Sequence, residues 1–131
     1  MWVYEQSTGR LYAPDGTHAA TGYAGGNEGQ NPEGVNDHAS QNIKNIGPLP
    51  VGFYTFGEVV QQSQLGPFAI PLVPDASNTM FGRGDFYMHG DTTPSGNASE
   101  GCIIMPRSVR DECYGSGDKQ LAVVYIKKGE L

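Results

Sequence analysis

A chain of 131 residues with 37% hydrophobic residues, 19 glycines and 9 prolines has room for one hydrophobic core and is punctuated too often for long helices. Its formal charge of −6, with 8 scattered Lys and Arg residues, argues against a nucleic-acid partner, because phosphate binding takes clustered cations. No apolar run approaches the ~20 residues of a membrane-spanning helix, and the opening MWVYEQSTGRLY lacks the basic and apolar regions of a Sec signal; residues 1–131 are therefore expected to form a single domain, made in the cytoplasm and exported, if at all, by a route that reads no such signal.

In chain order, WVYEQ and GRLYAPDG predict a β-hairpin, with Pro14-Asp15-Gly16 as a strong turn, and THAATGYAG continues as a strand of small residues. Residues 25–46 carry little apolar periodicity and are too long for an idle connection, which marks them as a functional loop or flap; a short helix is expected within Asp37–Ile46. FYTFGEVV alternates like a half-buried strand. PFAIPLVP is continuously apolar, but Pro71 lacks the N–H a central ladder needs, so an edge or bulged strand is expected. DFYMHG, GCIIMP and LAVVYIKK supply the remaining strands, and Ser108–Tyr114 a second short helix with Ser108 as its N-cap. Six to eight strands with one or two short helices predict a mainly β fold, a small antiparallel sandwich or barrel.

The chemistry concentrates in FYMHGDTTPSGNASEGCIIMP. A cysteine attacks as thiolate, so it needs a group that takes its proton and a pocket that lowers its pKa. His89 ends one predicted strand and Cys102 begins the next, and the twelve residues between them can return the chain alongside itself. Gly101 lets the backbone turn sharply and present the Gly101 and Cys102 amides to an oxyanion. Ser99 can brace the turn through its hydroxyl, and either Asp91 or a backbone carbonyl can orient the imidazole. A zinc reading through Cys102, His89 and Asp91 or His38 stays open, although no CxxC or HxxxH spacing supports it and no cofactor is called for. Cys113 reads as an inert thiol, with a Cys102–Cys113 disulfide as the alternative.

The segment MHGDTTPSGNASEGCII resembles the L,D-transpeptidase motif, in which a histidine strand is followed by a loop and a Ser-His-Gly-Cys turn. GYAGG, NIGPLPVGFYTFGE, FGRGDFYMHG and SEGCIIMP, in this order, extend the similarity over nearly the whole chain, to the type VI secretion effectors of L,D-transpeptidase type. Two departures stand out: Glu100 occupies the place of the motif's second histidine, and the His89–Cys102 gap is shorter.

The resemblance implies an L,D-transpeptidase-type fold, Cys102 as nucleophile and His89 as general base. The implied substrate is the tetrapeptide stem of peptidoglycan, cut between diaminopimelate and D-alanine in the target cell's periplasm, with hydrolysis, D-amino-acid exchange or crosslinking to follow. It also implies a cognate immunity protein and a type VI spike or tube component as partners. For the substrate carboxylate, Arg83 and Arg107 are the candidate clamps, with Tyr23 and Tyr54 lining the cleft and Glu100 bearing on the product. A thiol amidase of the cytoplasm or of a phage, and a non-catalytic module binding cell wall or spike, are the alternatives. A catalytic Cys102 is expected to be alkylated faster than Cys113 in mild acid.

Overall fold

The computed structural model describes residues 1–62, 65–92 and 96–126. Its strands are β1 (Trp2–Glu5), β2 (Arg10–Tyr12), β3 (His18–Thr21), β4 (Tyr23–Ala24), β5 (Gly52–Phe56), β6 (Val60–Gln62), β7 (Gly66–Pro74), β8 (Tyr87–His89), β9 (Ile103–Ile104) and β10 (Gln120–Val124), with one α-helix, α1 (Arg107–Gly115). The strands join in the order β3-β2-β1-β10-β5-β7-β8-β9-β4, with β6 paired to β7, so the fold is mainly β and sandwich-like, as its composition predicts. The sheet is mixed: β1 lies parallel to β10, and β8 parallel to β9.

Buried Trp2, Tyr4, Leu11, Tyr54, Ile70, Met88, Ile103 and Leu121 form a continuous hydrophobic cluster. They come from both ends of the chain and its middle, and the nine-residue strand β7 ties them together. One end of β7 pairs with β5 (Phe56 opposite Leu72), its centre with β8 (Ile70 opposite Met88), and its start with β6, where the register slips between Val60 and Gln62. The bulge matches expectation; the edge position does not, since β7 has neighbours on both sides. Pro71 is tolerated because it stands where the β5 ladder gives way to the β8 ladder.

Two local expectations are corrected. The stretch Asp37–Ile46 holds only a single 3₁₀ turn, His38–Ser40, closed by the Ser40 Oγ bond to the Asp37 carboxylate; at Asn45 the chain takes a left-handed φ of 70°, which an α-helix cannot continue through. Helix α1 begins at Arg107 with Pro106, not Ser108, as the capping residue. The Pro106 carbonyl accepts from the Val109 and Arg110 amides, so the proline launches the helix without a side-chain cap. The strand LAVVYIKK ends as β10 at Val124; Lys127 and Lys128 lie outside the described residues.

The long segment between β4 and β5 is held by two buried polar side chains. Gln6 Nε2 donates to Leu49 O (2.9 Å) and Gln41 Oε1 (3.0 Å). Arg83, 8% exposed, donates through Nη1 to the carbonyls of Gln41 (2.6 Å) and Pro48 (2.9 Å), and through Nη2 to those of Gly47 (3.0 Å) and Glu100 (3.1 Å). Four backbone acceptors thus depend on one guanidinium. Arg83→Met is expected to cost about 3–5 kcal/mol in urea unfolding, because it strands several desolvated carbonyls at once; a loss below about 1 kcal/mol would show that water replaces the guanidinium.

Candidate active site

In the parallel pair β8–β9, Met88 stands opposite Ile103 and His89 opposite Ile104. One step back in the same register Cys102 falls opposite Tyr87, and the Tyr87 N–H donates to Cys102 Sγ at 3.3 Å. Side chains alternate along a strand, so Met88 and Ile103 enter the core while Tyr87, His89, Cys102 and Ile104 share the other face. His89 and Cys102 line one cavity of about 550 Å³, together with Arg83, Asp85, Phe86 and Glu100. No hydrogen bond joins them among the described residues. The connection between them includes residues 93–95, which lie outside the described residues.

The Cys102 turn is built around Ser99, 1% exposed. Ser99 Oγ donates to Cys102 O (2.6 Å) and accepts from the N–H groups of Gly25 (2.8 Å) and Gly101 (3.0 Å). Gly101 adopts a φ of 138°, and a Cβ there would meet Arg83 Nη2 and Phe86 Cε1, each at 2.7 Å, so no side chain fits. The bracing has a consequence for the expected oxyanion hole: the Gly101 amide is spent on Ser99. The amide left is that of Cys102, for which no acceptor is found among the described residues.

His89 is 4% exposed, and its Nδ1 lies 3.0 Å from Gly90 O. A carbonyl only accepts, so Nδ1 carries the proton and Nε2 is the basic nitrogen. The carbonyl orients the ring. Asp91 instead organises the loop: its carboxylate accepts from Tyr23 Oη (2.6 Å) and from the amides of Thr92 (2.8 Å) and Gly96 (3.1 Å), while Tyr23 Oη accepts from the Ala98 N–H (2.9 Å). Burial lowers the His89 pKa, and the Arg110 charge adds to this; the Gly90 bond and Asp91 oppose.

Cys102 is not in a pocket that lowers its pKa. Burial pushes the thiol up to about 11, with the Glu100 and Asp85 charges acting the same way; the Tyr87 amide and Arg83 oppose. A hydrogen bond from Glu28, with burial and the Glu28 charge, holds the Glu100 carboxyl above the usual carboxylate range, while Lys44 opposes. Both shifts disfavour the charged forms, so the surroundings oppose a thiolate–imidazolium ion pair.

The remaining expected residues divide. Arg83 lines the cavity, yet its four terminal N–H donors are all committed to carbonyls, the position of a strut rather than a free clamp. Arg107 lies away from Cys102, paired with Asp111 (3.0 Å) and 4.2 Å above the Phe68 ring. Tyr54 is a core residue whose hydroxyl donates to Pro50 O at 2.7 Å. His38 contacts Gln6 and stacks on Tyr125, and no group of three or more His, Cys, Asp or Glu side chains gathers at metal-binding distance among the described residues. Neither cysteine is in a disulfide; Cys113 is buried and Cys102 is partly exposed. Glu28 and Arg110 escaped the sequence reading: Glu28 sits in a long loop at a left-handed φ of 54°, and Arg110 showed only as the helical neighbour of Arg107 at i+3.

A family model described as the Tlde1 domain matches residues 19–125. No curated protein and no solved structure matches the chain.

The raised thiol pKa predicts the response to iodoacetamide. Cys102 alkylation should climb about tenfold per pH unit from neutrality to pH ~10 without levelling, while Cys113, 0% exposed, reacts only in denaturant. A plateau below pH ~8 would mean a preformed thiolate.

Proposed function

The chain belongs to the Tlde1 domain family, a family of type VI secretion effectors, and on that footing we propose that it is an antibacterial enzyme acting on peptidoglycan stem peptides by cysteine-dependent acyl transfer. The observation that carries this reading is the placement of Cys102 and His89 on one face of a parallel strand pair, lining one cavity, with an amide on the sulfur and the basic nitrogen of the imidazole defined. Membership also implies a cognate immunity protein and delivery by type VI machinery, so that the target's periplasm is the proposed place of action.

In the proposed reaction a tetrapeptide stem places its diaminopimelate carbonyl at Cys102. As Sγ bonds to the carbonyl carbon, its proton passes to His89 Nε2. A neutral pair makes this transfer part of the attack, so no thiolate has to be maintained in a cavity that disfavours it. The Cys102 N–H faces the developing oxyanion, and collapse expels D-alanine, whose nitrogen takes the proton from His89. The thioester then meets water, giving L,D-carboxypeptidase activity, or the amine of a D-amino acid, giving exchange.

Three expectations follow from this reading. Muropeptide mass analysis of digested sacculi should show tetrapeptides losing one D-alanine, and Cys102→Ala or His89→Ala should reduce that loss by at least about 10³-fold; intact tetrapeptides, or cleavage at another bond, would exclude the reaction. Because burial keeps His89 neutral to lower pH than an ordinary imidazole, the acid limb of kcat/KM should have its midpoint below about 6.5. A midpoint above that value would remove His89 as the base. Glu100→His should change the proportions of hydrolysis and transfer while D-alanine release persists; unchanged proportions would take Glu100 out of product control.

A further inference from the structure

Beyond His89, along the same face of β8–β9, lies a second cavity of about 750 Å³. His89 belongs to the walls of both cavities, and Ile104, its partner in the register, lines the second. This second cavity carries two guanidinium groups from the first turn of α1, Arg107 and Arg110. Arg107 is half exposed and already paired with Asp111.

Arg110 is placed differently. It is 6% exposed; Nε donates to Met105 O (3.1 Å), and Nη1 donates to Pro67 O (3.0 Å) and Phe68 O (2.8 Å). These bonds lock the plane of the guanidinium and leave Nη2 with no acceptor among the described residues. Nor is Nη2 sealed in, because the sole fully buried side-chain N or O atom without a partner among the described residues is Tyr4 Oη. A fixed, charged and largely desolvated donor with no acceptor among the described residues calls for one from outside. Residue 90 keeps the approach clear: a Cβ on Gly90 would stand 2.9 Å from Nη2. Two acidic side chains line this cavity, Glu28 and Asp91; neither bonds to Arg110 among the described residues, and Asp91 is engaged instead by Tyr23 Oη and the amides of Thr92 and Gly96.

We propose that this cavity is a carboxylate site, in which Arg110 Nη2, with Arg107 beside it, holds the carboxylate of the amino acid that leaves or attacks the acyl-enzyme. The assignment rests on the acyl-transfer reading above and extends it to the amine side of the reaction. In an α-amino acid a single carbon separates carboxylate from amine, so a clamp for the one must stand close to the base that serves the other. Arg110 stands across Gly90 from His89. In the exchange step the neutral amine bonds to the thioester carbonyl carbon and gives one proton to His89 Nε2. The C–S bond breaks and that proton passes to Sγ, so the products are a new amide and the Cys102 thiol.

The test is a titration of the ¹⁵N-labelled full chain with D-alanine and, separately, with D-alaninamide, which differ in the carboxylate. Saturable shifts of the Gly90 and Arg107 amide signals are expected with D-alanine, and binding at least about tenfold weaker with D-alaninamide. Arg110→Lys, which keeps a charge but loses the fork, should erase that difference, with circular dichroism monitoring its fold. Equal shifts from both compounds, no shift from either, or shifts confined to Gly82 and Gly84 in the Cys102 cavity would overturn the assignment. The titration needs no turnover, so it separates the two claims: D-alanine release without D-alanine binding at Gly90 removes this site alone, and binding without release removes the reaction alone.

Discussion

The parallel ladder between β8 and β9 is the constraint from which the rest of the site follows. An antiparallel return would let a tight turn bring His89 and Cys102 together; a parallel pair requires a crossover of a dozen or more residues, which the chain supplies between them. The parallel register sends Met88 and Ile103 into the core and sets Tyr87, Cys102, His89 and Ile104 on the opposite face. Core packing and the placement of Cys102 and His89 are therefore one event, because a one-residue slip would bury them and expose the core.

That ladder is anchored from outside by side chains whose hydrogen bonds go to the backbone. Arg83 ties the segment around residues 41–48 to the Glu100 carbonyl, beside the Cys102 turn, and Ser99 joins the turn to Gly25. The long segment between β4 and β5 is thus fastened to the Cys102 turn at two places. It brings Glu28 and Lys44 to the cavity mouth, where their charges act on Glu100.

The strands were legible in the sequence because alternation and turn residues are local signals, and that His89 and Cys102 would come to one cavity was legible because each residue borders one of those strands. What could not be read locally was the direction of pairing. Arg83 illustrates why: six residues before His89, it resembles a substrate clamp until the four carbonyls that surround it are known, and those come from residues 41–48 and from Glu100, remote in sequence. Gly101 is similar, since its amide is a free donor in the sequence and an occupied one beside Ser99. Arg110 escaped notice for the opposite reason, a charged residue in a short helix being ordinarily a solvated one.

The burial that delays ionisation of Cys102 has a second effect. Peroxide and disulfides react with the thiolate, so a sulfur that stays protonated is oxidised slowly. Its lone potential partner, Cys113, is sealed in the core, with a thiol that burial also raises, to about 12. The same desolvation that opposes ionisation of Cys102 therefore also slows its oxidation, preserving a reduced sulfur where a more acidic thiol would be consumed.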